Sequence, residues 1–333
     1  MRNLLLSIFL FLAATISAQT DVTVTNINGQ KSFGAKVPAG EYSGITHIAA
    51  DTFAVVSDKS EGHGFFLMKI QTDEATGEIR DVQNLGYKGT GSGHHDIEGI
   101  AYNPHTSKLF ISQEADNTIS ELTLDGKLTG RKISFPDSIA NNIRSNMSIE
   151  SLCYDADWHL LWTATEGPLK QDGEAATATN GKESTVRLFA FDDSLHQTVW
   201  YRYKTDKPSS TAQARTFALG VSDLASIGKG RLLVLEREAR VTVNYIGSST
   251  ITKLYLVDTK DASIGGILPK RLLFSFQTKL SLLRQDWANY EGMCLLPTDS
   301  KGQRTLMMVS DSQGQYRGVL KDWFKSIKIG SNP

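Results

Sequence analysis

Cysteine is nearly missing from this chain: two in 333 residues, too few for a disulfide scaffold. Neither sign of charge is in excess. Lys and Arg number 35, Asp and Glu 36, for a net charge of −1. That balance argues against a general nucleic-acid binder, which needs surplus Lys and Arg to displace counterions. Beyond the first twenty residues no apolar run approaches the ~20 residues of a membrane span, so no span is expected there. Helical periodicity is scarce. Several chemical signatures are also missing: a Gly-x-Ser-x-Gly elbow, a Walker A loop, His-Glu-x-x-His and Cys-x-x-Cys. What remains is 40% hydrophobic and 21% charged, a composition that excludes intrinsic disorder and suffices for a sizeable core. Length alone suggests two domains of roughly 150 residues, although all-β domains of this size occur as one unit.

The N-terminus differs from the rest. Arg2 precedes an apolar stretch from Leu4 to Ala14, and Ile16-Ser17-Ala18 ends in a small residue before Gln19. This is the pattern of a cleaved secretory signal over residues 1–18. The expected mature protein is therefore periplasmic or extracellular, with residues 19–333 as a single domain. Export makes ATP-driven or nicotinamide-dependent chemistry a poor expectation. No cysteine stands at the cleavage point to carry a lipid.

Short apolar runs recur between Gly-, Asp-, Asn- and Lys-rich clusters: Phe53–Val56, Leu109–Ser112, Leu160–Ala164, Leu232–Leu235 and Thr305–Val309. They read as strands and turns, and Asp125-Gly126 reads as a hairpin turn. The strands fall into a repeated phrase: Ser43-Gly44-Ile45-Thr46, Glu98-Gly99-Ile100-Ala101, Glu150-Ser151-Leu152-Cys153, Ser222-Asp223-Leu224-Ala225 and Glu291-Gly292-Met293-Cys294. The third residue is always large and aliphatic or Met, and the fourth is always small. The phrases start 55, 52, 72 and 69 residues apart. Such a period, with about four strands per unit, predicts an all-β chain folded as a β-propeller of five or six blades; a two-sheet sandwich is the competing architecture. The small fourth residue is expected at the crowded inner strand. The long spacings leave room for a sixth, eroded blade or for insertions such as 170–182. The segment Val22–Asn26 is expected to pair with C-terminal strands and close the ring.

Each phrase is followed by a strand ending in an acid: Asp58, Glu114, Glu166, Glu236 (or Glu238) and Asp311. In an antiparallel hairpin the start of one strand lies beside the end of the next. Glu98, Glu150, Glu291 and Asp223 are therefore expected on one rim with those five acids. So many carboxylates repel one another unless a cation or basic side chains sit among them. Hard oxygen donors on a flexible rim suit Ca²⁺ better than zinc. The alternative is a structural ring paired with Arg237, Arg240 and Arg144. The run Gly89-Thr90-Gly91-Ser92-Gly93-His94-His95-Asp96 leads into Glu98, which makes His94 and His95 proton-transfer candidates; the competing reading is an exposed glycine-rich turn. His63, Asn146 and Asn289 are further candidates for the same mouth. Cys153 and Cys294 fall at equivalent small positions and read as buried free thiols, with a bridge between neighbouring blades left open.

Asp96-Ile97-Glu98-Gly99-Ile100, Val221-Ser222-Asp223-Leu224, Leu233 to Glu238, Asn289-Tyr290-Glu291-Gly292-Met293 and Val309-Ser310-Asp311 follow one another in order. Together they resemble the phytase-like family of exported proteins described as having esterase-like activity. The resemblance runs from about residue 44 to 311 and implies a propeller that hydrolyses a phosphate or carboxylic ester. It supplies no catalytic set to carry over. A looser similarity, at Glu98 and Glu291, is to calcium-dependent six-bladed lactonases and gluconolactonases; Glu150 departs from it, with Ser151 where Gly is expected. The Arg-His-Gly signature of histidine-acid phytases is missing. The resulting expectation is a metal-assisted hydrolase of small ester or phosphoester ligands. Glu98, Glu150 and Glu291 would hold the metal, His94 or His95 would move protons, and Arg237 would steady a substrate anion. The alternative is a non-catalytic binding propeller whose acids are structural.

Overall fold

The structure is a computed structural model that describes residues 21–313 and 320–332, with side chains described except at 92–94, 331 and 332. The leader expected over residues 1–18 lies outside these residues. Among the described residues no helix is long and apolar enough to cross a membrane.

Five four-stranded antiparallel sheets make up the fold. Blade one is β2 (Tyr42–Ala49), β3 (Thr52–Ser57), β4 (Ser60–Thr72) and β5 (Ile79–His95). Blade two is β6 (Ile97–Asn103), β7 (Lys108–Gln113), β8 (Thr118–Thr123) and β9 (Leu128–Ser134). Blade three is β10 (Ile149–Asp155), β11 (Leu160–Thr165), β12 (Thr185–Phe191) and β13 (Gln197–Lys204). Blade four is β14 (Thr216–Gly228), β15 (Arg231–Val241), β16 (Ser249–Asp258) and β17 (Lys270–Lys279). Blade five takes β18 (Asn289–Leu295), β19 (Gln303–Asp311) and β20 (Phe324–Asn332) from the C-terminus and β1 (Asp21–Ile27) from the N-terminus. β1 pairs antiparallel with β20, from Asp21↔Asn332 to Ile27↔Ile327, which closes the ring as the sequence suggested. The five phrases are the five inner strands, so the long spacings are insertions and extended strands, and the count is five. The Asp125-Gly126 hairpin forms as expected, with Gly126 at φ 78° and the Thr123 N–H donating to the Lys127 carbonyl at 2.9 Å.

The second strand of each blade explains the uninterrupted apolar runs. Successive side chains on a strand point to opposite faces, and here both faces are buried against a neighbouring blade. Phe53 and Val55 of β3 join the core shared with blade five, whereas Ala54 and Val56 join the core shared with blade two. Trp162 and Ala164 of β11 face blade four; Leu161 faces blade two. Leu233 and Leu235 of β15 pack with blade five, and Leu232 and Val234 with blade three. Five apolar clusters thus fill the five gaps between blades, and a continuous run is what a strand buried on both sides requires.

The tightest approach of the inner strands is at the second phrase position, not the fourth. A Cβ on Gly44 would lie 2.7 Å from the Glu98 carbonyl oxygen, and one on Gly99 2.7 Å from that of Glu150. The small fourth residues Ala101, Cys153, Ala225 and Cys294 are buried in the inter-blade cores instead. Both cysteines are free and buried.

Candidate functional site: an acidic axial cavity

The inner hairpins put the site together by a shared irregularity. In every blade the register between the first and second strands shifts at the opening of the phrase: between Tyr42 and Gly44, Ile97 and Ile100, Ile149 and Ser151, Val221 and Asp223, and Tyr290 and Gly292. Such β-bulges leave a residue unpaired and re-aim its side chain. The bulge carries the phrase-opening residue: Ser43, Glu98, Glu150, Ser222 and Glu291. Just before it, Tyr42 pairs with Ser57, Ile97 with Gln113, Ile149 with Thr165, Val221 with Glu236, and Tyr290 with Ser310. The next residue along the second strand is therefore Asp58, Glu114, Glu166, Arg237 and Asp311.

That register corrects two expectations. Glu236 is one residue too early to join the ring, so the pleat turns it to the other face. It accepts from Tyr203 Oη at 3.0 Å, Lys270 Nζ at 2.8 Å and the Asp206 N–H at 2.9 Å. The fourth blade's place in the ring belongs to Arg237. Asp223 occupies the second phrase position, the one filled by Gly44 and Gly99, and so faces the next blade. Its carboxylate accepts the N–H of Leu224 at 2.8 Å and of Met293 at 2.5 Å. Glu238, the alternative in the same strand, accepts the N–H and hydroxyl of Ser209, both at 2.8 Å.

Asp58, Glu98, Glu114, Glu150, Glu166, Glu291 and Asp311 do converge, and line one axial cavity of about 650 Å³. Asn146 and Asn289 line it too, together with Arg237 and Arg215. Arg237 is 6% exposed and its terminal nitrogens are occupied. It pairs with Glu166 at 2.5 Å and with Glu291, and donates to Asn289 Oδ1 at 3.1 Å. Its expected role of steadying a substrate anion thus competes with two carboxylates already bound. Arg215 is the exposed arginine of the cavity, with Nη1 donating to Tyr245 Oη at 2.9 Å. Nothing in the sequence distinguishes Arg215, because it falls in the connection between β13 and β14, outside the repeat.

Crowding of buried carboxylates dominates the electrostatics. Burial first, then Glu291, Asp58 and Glu114, push Glu98 well above the usual carboxylate range. Burial and then Glu98 and Glu166 do the same to Glu150, against the pull of Arg237. Glu291 is raised to about 8 by burial, with Arg237 opposing and Asp311 and Asp58 adding. Glu41, absent from the sequence reading, stands beside Asp58 and is raised to about 7 by burial and by that neighbour. Glu114 and Asp311 are also raised, mainly by burial. Arg237 is held above its ordinary value: burial works against its charge, but Glu291, Glu166 and Glu150 outweigh it.

The donor chemistry suits a hard cation. Asp58 Oδ1 and Glu114 Oε1 are buried with no hydrogen-bond partner among the described residues, which is costly for carboxylate oxygens unless something positive approaches. No three His, Cys, Asp or Glu side chains among the described residues are already gathered as a metal cage. These two oxygens belong to blades one and two, across the ring from Arg237 and Arg215 on blade four. Lys59 pairs with the other Asp58 oxygen at 2.7 Å, so the blade-one side is negative but partly compensated, while the blade-four side carries both cavity arginines.

The histidines lie elsewhere. The glycine-rich run is the end of β5, the outer strand of blade one, and it pairs with β4 through Ser60↔His95 and Glu61↔His94. The chain crosses to the inner strand of blade two only at Asp96. His95 packs its ring on His63, with centroids 4.0 Å apart, and Gln113 Nε2 lies 3.5 Å from its Nδ1. Neither ring lines the cavity; the side chain of His94 lies outside the described residues. Burial and then His95 lower the pKa of His63.

Fold and cavity define the class first: a five-bladed β-propeller with an acidic axial mouth. The model of the family described as "Phytase-like: Esterase-like activity of phytase" matches residues 37–313, and the chain belongs to that family. No curated protein matches the sequence. Among solved structures, a hydrazine synthase chain from Kuenenia stuttgartiensis is similar at 11% identity and a TM-score of 0.39. The match covers 83% of this chain, which spans only 57% of that one. A DUF4221 family member from Bacteroides vulgatus is similar at 10% identity and a TM-score of 0.38, over 94% of this chain and 100% of that one. The Cps50 (Swd1) β-propeller domain of Myceliophteria thermophila gives 11% identity and a TM-score of 0.34, over 92% and 99%.

Proposed function

We propose that this protein is an exported, cation-dependent hydrolase of small phosphate or carboxylic esters. The observation that carries the proposal is the ring of seven carboxylates around one 650 Å³ cavity, with two arginines lining it among the described residues. Left uncompensated, that ring would repel a phosphoester. Asp58, Glu98 and Glu114, on the side away from Arg237, together with Glu150 of blade three, would hold a Ca²⁺-like cation. Such a cation supplies charge neutralisation and polarises a phosphoryl or carbonyl oxygen. The cavity is lined by no Ser, Cys or His among the described residues, so a Ser–His or Cys–His route has no components there. Water would be the nucleophile, and Glu291, which lines the cavity and is raised to about 8, is poised to exchange a proton near neutral pH. Arg215 would meet the anionic or polar part of the substrate at the entrance. Family membership supports hydrolysis, and the leader-like residues 1–18 support export.

The test is turnover of aryl phosphates, aryl esters and lactones with Ca²⁺ and with a chelator, alongside thermal melting. The proposal expects Ca²⁺-dependent turnover in at least one class and a cation-dependent rise in Tm, both lost in the Glu98→Gln/Glu291→Gln double variant with the fold retained. Silence in every class with an unchanged Tm would overturn it. A second reading, a binding propeller with structural acids, is favoured by one observation: Arg237 already bridges Glu166 and Glu291. It expects the double variant mainly to lose stability.

A further inference from the structure

The opposite mouth of the propeller has different chemistry. A cavity of about 420 Å³ opens there, within the range of small-molecule pockets, and the far ends of all five inner strands line it. Its base is a collar built from the third residue of every phrase: Ile45, Ile100, Leu152, Leu224 and Met293. These side chains are at most 2% exposed and each packs into the core between its own blade and the preceding one, which is why that position is always large and apolar. Ile48, Pro104, Leu295 and Pro297 extend the apolar wall.

One charged group interrupts this wall. Among the described residues no Asp or Glu lines the cavity; the titratable groups facing it are His47, Tyr102, Tyr154, Cys153, Cys294 and Arg304. Burial lowers the His47 pKa, and its Nε2 lies 2.9 Å from the Ala50 carbonyl oxygen. Tyr154 donates to Asp193 at 2.6 Å. Burial raises both thiols, so they stay neutral. Arg304 alone carries charge. It sits on β19 with Nε donating to the Leu296 carbonyl at 2.9 Å. Among the described residues no carboxylate comes within ion-pair distance; Asp157 acts on it only from farther away. A guanidinium with one nitrogen fixed and its fork unmatched, in an apolar bowl, fits a carboxylate on an apolar body, because bidentate pairing is where arginine binds best.

We propose that this second mouth is a binding site for small amphipathic monocarboxylates. The carboxylate pairs with Arg304 and the hydrocarbon rests on the apolar wall of Ile48, Pro104, Leu295 and Pro297. This site is independent of the cation-dependent chemistry at the other mouth.

Calorimetric titration of the full chain in chelator, with hexanoate and 3-phenylpropanoate against hexan-1-ol and 3-phenylpropan-1-ol, tests it. Each acid is expected to bind at least about tenfold tighter than its alcohol, as a charge-assisted pair requires. Arg304→Met is expected to erase that preference, and Arg304→Lys to restore part of it. Ala156→Trp, an exposed position on the cavity wall, is expected to weaken acid and alcohol alike and decides the matter if the Arg304 variants do not fold. No binding at millimolar acid, equal affinity for acid and alcohol, or wild-type affinity in Arg304→Met or Ala156→Trp would each overturn the proposal.

Discussion

Replacing Glu291 by Gln isolates the consequence of crowding acids around the axis. Gln copies the protonated acid, so the two proteins should have nearly the same stability at pH 5. An acid whose folded pKa lies above its unfolded value keeps a proton that the unfolded chain has released. Its stabilising effect is complete below the unfolded value of 4.5 and is lost as pH rises through about 8. At about 1.4 kcal/mol per pH unit the displacement is worth at most about 5 kcal/mol. Glu98, Glu150 and Glu291 influence one another, so the proton is shared and the single variant should recover roughly 2–5 kcal/mol. The variant should therefore match wild type at pH 5 and exceed it by that amount at pH 8.5 in chelator. Comparing two proteins removes the opposite contribution of His47 and His63, whose pKa values are lowered and which favour the folded state less as pH falls below 6.5. Urea unfolding of both proteins at four pH values measures the gap. Saturating Ca²⁺ should close it, because a cation that binds the ionised ring rewards the wild-type carboxylate. Parallel pH profiles in chelator would refute the reasoning, since Glu291 would then titrate like an ordinary acid.

Arg237→Met should cost about 3–5 kcal/mol at pH 8, because Glu166 and Glu291 lose their buried partner; the loss should shrink at pH 5, and urea unfolding reads it. Gly99→Ala would press a methyl against the Glu150 carbonyl and the Leu152 N–H, 2.7 and 2.9 Å away, and should destabilise by roughly 1–3 kcal/mol. Gly34→Ala, with open space around it, should melt within a degree or two of wild type. Asp223→Leu should cost roughly 1–3 kcal/mol through the orphaned N–H groups of Leu224 and Met293, yet leave calorimetric Ca²⁺ binding unchanged, whereas Glu98→Gln should weaken it.

The sequence and the structure part company at particular residues, and each has a physical cause. Runs such as Phe53–Val56 announce the fold because a strand buried on both faces has no polar side to show. The N-terminal closure was legible for a related reason: a lone strand has an exposed edge to satisfy. The bulges were not legible. They consist of backbone pairing, and the Glu or Ser that opens each phrase does not by itself announce an unpaired residue. Without the bulge, counting along a strand misplaces a face by one residue, and this is how Glu236 came to be expected where Arg237 stands. His94 and His95 misled for a different reason. His95 stands three positions before Glu98 in the sequence, but the chain passes from an outer strand to an inner one between them.

Correcting blade four by one residue changes the character of the site. With Glu236 in the ring the mouth would be acidic all round, and a cation could sit anywhere within it. With Arg237 there, Glu166 and Glu291 of the flanking blades three and five are the acids it neutralises. The unpartnered oxygens, Asp58 Oδ1 and Glu114 Oε1, remain on blades one and two, the pair farthest from blade four in a five-membered ring. Arg215 adds a second positive charge on the blade-four side. The cavity is therefore polar across its width, and a cation and an ester anion have different sides to occupy. That division is what a cation-dependent hydrolase needs and a purely structural ring does not. Moving the charge should show it: Arg237→Glu together with Glu114→Arg keeps the net charge of the ring but exchanges its poles. If the poles matter, Ca²⁺ affinity should fall at least about tenfold in that double variant while melting in chelator still shows a folded chain; undiminished Ca²⁺ binding would mean that net charge, not its arrangement, holds the cation.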